Sequence, residues 1–208
     1  MDIALRPLDK EETAQVYNEH LVYDFPKEEV KGLHSIHRMM DEGTYEVWGV
    51  ELCEERDLLS EKSLLMDGED SMVDSSMVGY ALIFCQRGQP FVLLDYLAVF
   101  KDRRGSGIGG AILSELRRHY AGRCILIESE YPPHAIDEAQ AAHRLGFYER
   151  NGCLRQDFRV ELFMVDYCIY ALSDKNWTRE EALAGYDAIY KMMIRDDVRR
   201  QEVLHYIL

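Results

Sequence analysis

One stretch near the middle of the chain, Val92 to Gly110, constrains its fold more than any other. It opens with an apolar run, Val92-Leu93-Leu94, that continues through Tyr96-Leu97-Ala98-Val99. β-Branched, aromatic and aliphatic residues dominate over a strand's length, so the run predicts a buried strand. A charged link follows, Phe100-Lys101-Asp102-Arg103-Arg104. Gly105-Ser106-Gly107-Ile108-Gly109-Gly110 then runs directly into a helical pattern that begins Ala111-Ile112-Leu113. A strand, a glycine loop and a helix N-terminus together build an anion site. The first helical turn has unpaired N–H groups and a partial positive charge. Glycines let backbone approach a phosphate with no Cβ in the way. Arg103 and Arg104 add side-chain charge at the same place. The stretch reads as a pyrophosphate cradle.

Two ligand classes compete for such a cradle. Gly105, Gly107 and Gly110 fit G-x-G-x-x-G, and Glu128 or Glu130 stands near the distance of a ribose-binding acid, which would suit a dinucleotide. Three features count against that reading. Charged or bulky residues separate the strand from the first glycine. The motif lies mid-chain. Beyond it the pattern is a helix pair and then antiparallel strands, not further βαβ units. G-x-x-x-x-G-K-[ST] is absent, which argues against a Walker-type nucleotide site.

The stretch resembles instead the signature of the GNAT superfamily of acyl-CoA-dependent N-acyltransferases. The hallmark Arg/Gln-x-x-Gly-x-Gly/Ala is met by Arg104, Gly107 and Gly109, after a strand that ends Ala98-Val99. A second family element, an aromatic or aliphatic residue, then Tyr, a few polar residues and Gly, is met by Phe147-Tyr148-Glu149-Arg150-Asn151-Gly152. The resemblance covers residues 1–172, with 53–76 as an acidic insertion or flap and 173–208 as a helical extension packed on the same domain. It implies an α/β (α+β) fold with a mixed, mostly antiparallel central sheet of six or seven strands flanked by helices.

The same resemblance implies acetyl transfer from acetyl-CoA to a primary amine, by direct attack in a ternary complex. Arg104, Gly105, Ser106, Gly107, Ile108, Gly109 and Gly110 would hold the pyrophosphate. Leu97, Ala98 and Val99 would hydrogen-bond the pantetheine arm as a further strand does. Tyr148 would protonate the leaving thiolate; packing against CoA without proton transfer is the plainer role. Tyr23, Asp24 and Phe25 lie in the connection that borders the acceptor in the family, where they also read as a helix stop with an aromatic plug. Glu128 interrupts an apolar strand where the family often has a glutamate, so it is the candidate base. Glu130 and Asp95 are alternatives, and a salt bridge is an equal role for each. One position departs from the family: Ala141 stands where many members have a cofactor-contacting Asn. A non-catalytic acyl-CoA-binding regulatory module and, third, a dinucleotide-dependent oxidoreductase are the competing functions.

Charge narrows the partners. With 24 basic and 38 acidic residues the formal net charge is −14. Such a chain repels phosphate backbones, which argues against nucleic acid. The acidity suits a cationic small-molecule or peptide amine, and serves solubility equally well. No apolar run has membrane-spanning length, and the first residues lack a basic-then-apolar signal pattern. Five cysteines without C-x-x-C read as buried free thiols in a cytoplasmic protein. The scattered histidines suggest no metal site, and a homodimer is compatible with the whole.

Along the chain, Ile3–Leu8 reads as a first strand, and Asp9 to Glu12 has capping-box spacing before a helix. Pro26 suits the start of a second helix over Lys27 to Met40, with Val30, Leu33, His37 and Met40 on one stripe. Tyr45–Leu52, Met77–Cys85 and Cys124–Glu130 read as strands. Ile136 to Arg150 reads as the helix carrying Tyr148. Phe158–Leu162 and Tyr167–Leu172 read as closing strands. Thr178 to Glu181 is a second capping box. It opens an amphipathic helix with Ala182, Leu183, Tyr186, Ile189, Tyr190, Met193 and Ile194 on one face, which Val203, Leu204 and Ile207 would extend.

Overall fold

The computed structural model describes residues 1–27, 29–53 and 76–208. The acidic stretch expected as an insertion at 53–76 therefore lies, apart from Cys53 and Ser76, outside the described residues. The chain divides into two units. One comprises Met1–Gln86 and Tyr96–Leu116, the other Arg87–Asp95 and Arg117–Leu208.

In the first unit, β1 (Ile3–Pro7) pairs antiparallel with β2 (Tyr45–Leu52), and β2 pairs antiparallel with β3 (Met77–Cys85). The second half of β4 (Phe91–Val99) lies beside β3. All nine residues of β3 are buried, as expected for a continuous apolar run between turns. Helix α1 (Lys10–Val16) starts at a capping box in which Asp9 and Glu12 satisfy each other's backbone N–H groups. It continues as a π-helical stretch, Tyr17–Leu21, and a last turn, Val22–Asp24. Phe25 then turns extended ahead of Pro26, as the residue before a proline prefers.

Helix α2 is shorter than the sequence suggests. It spans Leu33–Asp41, not Lys27 to Met40, and buries Ile36 and Met39 instead of the expected stripe. The cause is a tertiary hydrogen bond. The Tyr96 hydroxyl accepts from the Lys31 N–H at 2.9 Å and donates to the Glu29 carbonyl at 2.7 Å. Those backbone groups are thereby satisfied without a helix, and Gly32 is a poor helix former that serves as N-cap.

In the second unit, the first half of β4 pairs parallel with β5 (Cys124–Glu130), from Phe91↔Cys124 to Leu94↔Ile127. Parallel neighbours need a long crossover, and that crossover carries the glycine loop and α3 (Ile108–His119). The β4–β5 ladder ends at Leu94↔Ile127, while β5 continues to pair with β7 (Val165–Leu172) as far as Glu130↔Tyr167. The order runs β5, β7, β6 (Leu154–Leu162), β8 (Leu204–Ile207). Helix α4 is Glu138–Arg150, capped by Asp137.

Residues 173–208 are not wholly helical. The second capping box opens α5 (Arg179–Met193), and α6 (Asp197–Val203) follows. Leu204–Ile207 then forms β8, antiparallel to β6 from Leu162↔Leu204 to Arg159↔Ile207. A helix at Leu204 would have left that edge of β6 unpaired; pairing satisfies it. The described residues thus hold eight strands where six or seven were expected.

Helix α5 packs through Gly185. A Cβ built there would lie 2.3 to 2.8 Å from three ring carbons of Phe91. Gly185→Ala is expected to destabilise the protein by about 1–3 kcal/mol. That corresponds to a fall of several degrees in Tm by circular dichroism; an unchanged Tm would mean that α5 does not sit this close to β4.

Candidate active site

The glycine loop has the conformation its sequence demands. Gly105 has φ +78° and Gly107 φ +88°, values that side-chain-bearing residues rarely adopt. Open space lies where a Cβ would stand at either position. The Ser106 hydroxyl donates to the Arg103 carbonyl at 2.6 Å and closes the turn. Helix α3 begins at Ile108, and its first N–H groups have no partner within the helix. Backbone donors, open space at the glycines and a helix N-terminus therefore coincide, which is what a diphosphate needs.

Arg104 stands at the entrance of this loop, half exposed, and its guanidinium is already engaged. Nε donates to the Val99 carbonyl at 2.9 Å, and Nη2 donates to Asp24 Oδ1 at 2.7 Å. The Asp24 side chain is only 7% exposed, against 50% for Arg104. Its second oxygen, Oδ2, accepts from the Tyr80 hydroxyl at 3.0 Å. Tyr80 is fully buried, and burial followed by the nearby Asp24 charge pushes its phenol well up, so it stays a neutral donor. The structure thus joins a cofactor candidate, Arg104, to an acceptor candidate, Asp24. Of the other two acceptor candidates, Tyr23 is 72% exposed, and Phe25 meets Tyr96 edge-on at 5.0 Å between centroids. Tyr80 was not legible as a site residue. It sits in an apolar strand, 56 positions from the carboxylate it serves.

In the second unit, α4 presents Tyr148. Its ring lies 5.8 Å from that of Tyr170 and 5.2 Å from that of Phe147. Among the described residues nothing hydrogen-bonds the Tyr148 hydroxyl. Burial pushes the phenol up to about 12, with Cys153 adding to the rise and Arg144 opposing it. The Cys153 thiol is itself pushed up to about 12, chiefly by burial. Cys153 is a neighbour of Tyr148, its N–H donating to the Tyr148 carbonyl at 3.0 Å.

Glu128 lies on β5 with both α5 phenols on one carboxylate oxygen. Tyr186 and Tyr190 donate to Oε1 at 2.5 and 2.6 Å. Burial first, and the Glu128 charge second, push both phenols well above their ordinary range. The expected base is thus also an anchor for α5, a tie between residues 58 and 62 positions apart that no local pattern announces. Glu130 pairs with Arg144. Ala141, at the departure from the family pattern, is completely buried.

The described strands include a parallel pair, β4 and β5, bridged by a glycine loop and helix, and the fold is that of solved GNAT-family structures. Comparison with known proteins agrees. Residues 69–152 match the family model described as an acetyltransferase (GNAT) domain. A GNAT-family protein of Bacteroides thetaiotaomicron superimposes with TM-score 0.65 over 92% of this chain and 97% of its own, at 19% identity. The ribosomal-protein-S18-alanine N-acetyltransferase from Escherichia coli does so with TM-score 0.52 over 84% and 97%, at 15% identity. In sequence, YjbC of Bacillus subtilis (strain 168) is 40% identical over 60 residues, 29% of each chain. Among the described residues no helix is long and apolar enough to cross a membrane.

Proposed function

We propose that this chain transfers an acetyl group from acetyl-CoA to the amino group of a small molecule or peptide. The observation that carries the reading is the loop from Arg104 to Gly110, with two left-handed glycines leading into a helix N-terminus. GNAT domains use acetyl-CoA, and this loop fits the diphosphate of that molecule: a Cβ at Gly105 or Gly107 would fill the space the phosphates need. Arg104 supplies the positive charge. Leu97, Ala98 and Val99 offer strand edge to the pantetheine arm. Holding both reactants in line is worth several kcal/mol of barrier.

Tyr148 is the proposed general acid. Its proton is held up to about pH 12, and no described group competes for it. The neutral phenol can donate to a leaving thiolate, as a positioned general acid must.

Glu128 is the proposed acceptor of the amine proton. Glu128→Gln keeps an oxygen for the two phenols and removes the basicity. It is expected to lower kcat/KM about a hundredfold, with little change in Tm. A loss confined to stability would reassign Glu128 to anchoring α5. The whole reading is tested by thiol release from acetyl-CoA against a panel of primary amines. Turnover with at least one amine supports it. CoA binding without turnover on any would favour the non-catalytic module.

A further inference from the structure

We propose that Asp24 is a charge-exchange site that couples the two substrates: Arg104 leaves it for the diphosphate of acetyl-CoA, and a cationic amine takes Arg104's place. The proposal rests on the acetyl-transfer reading and deepens it, because it makes the acceptor a cation and gives its binding an order.

Three observations carry it. Asp24 is a nearly buried carboxylate with two partners among the described residues, one charged and one neutral: Arg104 Nη2 at 2.7 Å and the Tyr80 hydroxyl at 3.0 Å. Arg104 is the more exposed member, with half its side chain in solvent and, among the described residues, a neutral carbonyl, that of Val99, as its other partner. And Arg104 opens the loop whose left-handed glycines lead into the helix N-terminus. A diphosphate placed there carries more charge than one carboxylate and offers oxygens suited to a guanidinium fork. It also gathers the backbone donors of the loop, so it outcompetes Asp24 for Arg104.

Asp24 is then left with Tyr80. A buried carboxylate deprived of its cation is costly, because its charge stays desolvated while the attraction that offset this is gone. Tyr80 cannot replace the lost charge, since its phenol remains neutral. An alkylammonium group can. It restores a charge-assisted bond to Oδ1, while Oδ2 keeps its phenol. The amine is thereby held by the segment that ends α1, and the exchange must work in both directions: each substrate strengthens the other's binding by the same factor. Without acetyl-CoA, Arg104 fills the position as an internal stand-in for the amine. The free enzyme therefore disfavours binding the acceptor first.

The rival role for the same contacts is fixed positioning, in which Asp24 aims Arg104 at the phosphates and never releases it. The two roles predict opposite signs for one variant. In calorimetric titration of the full chain with CoA, Asp24→Asn is expected to bind about tenfold more tightly than the wild type, since the competing carboxylate is gone. Arg104→Ala should bind more weakly, and adding Asp24→Asn to it should restore nothing. Tyr80→Phe keeps the charge but removes the neutral donor, so Asp24 grips Arg104 harder and CoA binding should weaken several-fold. Circular dichroism establishes that each variant is folded. Methylammonium chloride, compared with sodium chloride at equal ionic strength, should tighten CoA binding to the wild type and leave Asp24→Asn unaffected. Equal or weaker CoA binding by folded Asp24→Asn overturns the proposal while leaving acetyl transfer intact. Methylammonium without effect on the wild type overturns the exchange with a cationic acceptor. Absence of CoA binding by folded wild type and Asp24→Asn alike overturns the acetyl-transfer reading, and the proposal with it.

Discussion

Tyr148→Phe is expected to lower kcat by two to three orders of magnitude, about 3–4 kcal/mol of barrier, while CoA affinity stays within about twofold. The change removes one oxygen. Among the described residues that oxygen bonds to nothing, so the fold loses no hydrogen bond and Tm should hold. The ring contacts with Tyr170 and Phe147 are retained. A purely packing role for Tyr148 would leave kcat almost unchanged. The pH dependence sharpens the test. The phenol is raised, so its neutral, proton-donating form persists through the alkaline range to about 12. Wild-type kcat should therefore show no fall from this group below about pH 10. A rate that follows an ordinary phenol's titration would contradict the raised Tyr148 phenol.

Gly79→Ala is the second large effect. A Cβ at Gly79 would lie 2.5 Å from the Ala98 carbonyl oxygen and 3.2 Å from the Val99 Cα. Both are backbone atoms, so no flexible side chain can yield. Strands β3 and β4 would have to part, weakening the bond from the Phe100 N–H to the Val78 carbonyl, now 2.9 Å. The expected cost is about 2–3 kcal/mol, or roughly 5–10 °C in Tm. The same displacement moves Ala98 and Val99, the proposed pantetheine edge, and the carbonyl that holds Arg104 Nε. CoA affinity should fall about tenfold or more even where the protein is folded. A stable Gly79→Ala variant with unchanged CoA binding would show that β4 does not carry the cofactor here.

The features legible in the sequence are local ones. Strands Met77–Cys85 and Cys124–Glu130 have the bounds their apolar runs suggest, because strand length, side-chain type and bounding turns all agree. The capping boxes at Asp9 and Thr178 are spelled out within four residues and form as written. The glycine loop is legible for the same reason: its conformation follows from its own residues. The failures share a different cause. Glu29 and Lys31 look helical until Tyr96, 65 positions from Lys31, takes the carbonyl of one and the N–H of the other. Leu204–Ile207 looks like more helix until the edge of β6 offers a partner. At the candidate site, Arg104 and Asp24 each read as a residue for a different substrate. Their ion pair spans 80 positions, and no periodicity encodes it. Glu128 reads as a lone acid in an apolar strand; only the fold shows the two phenols that make it an anchor as well.

The most direct test of the central claim is thermal unfolding of the full chain with acetyl-CoA, CoA, NAD and NADP in parallel, since a ligand that binds only the folded state raises its midpoint. The cradle from Arg104 to Gly110 predicts a rise with acetyl-CoA and CoA and none with NAD or NADP. A rise with NAD or NADP alone would contradict it, and would make the loop a dinucleotide site.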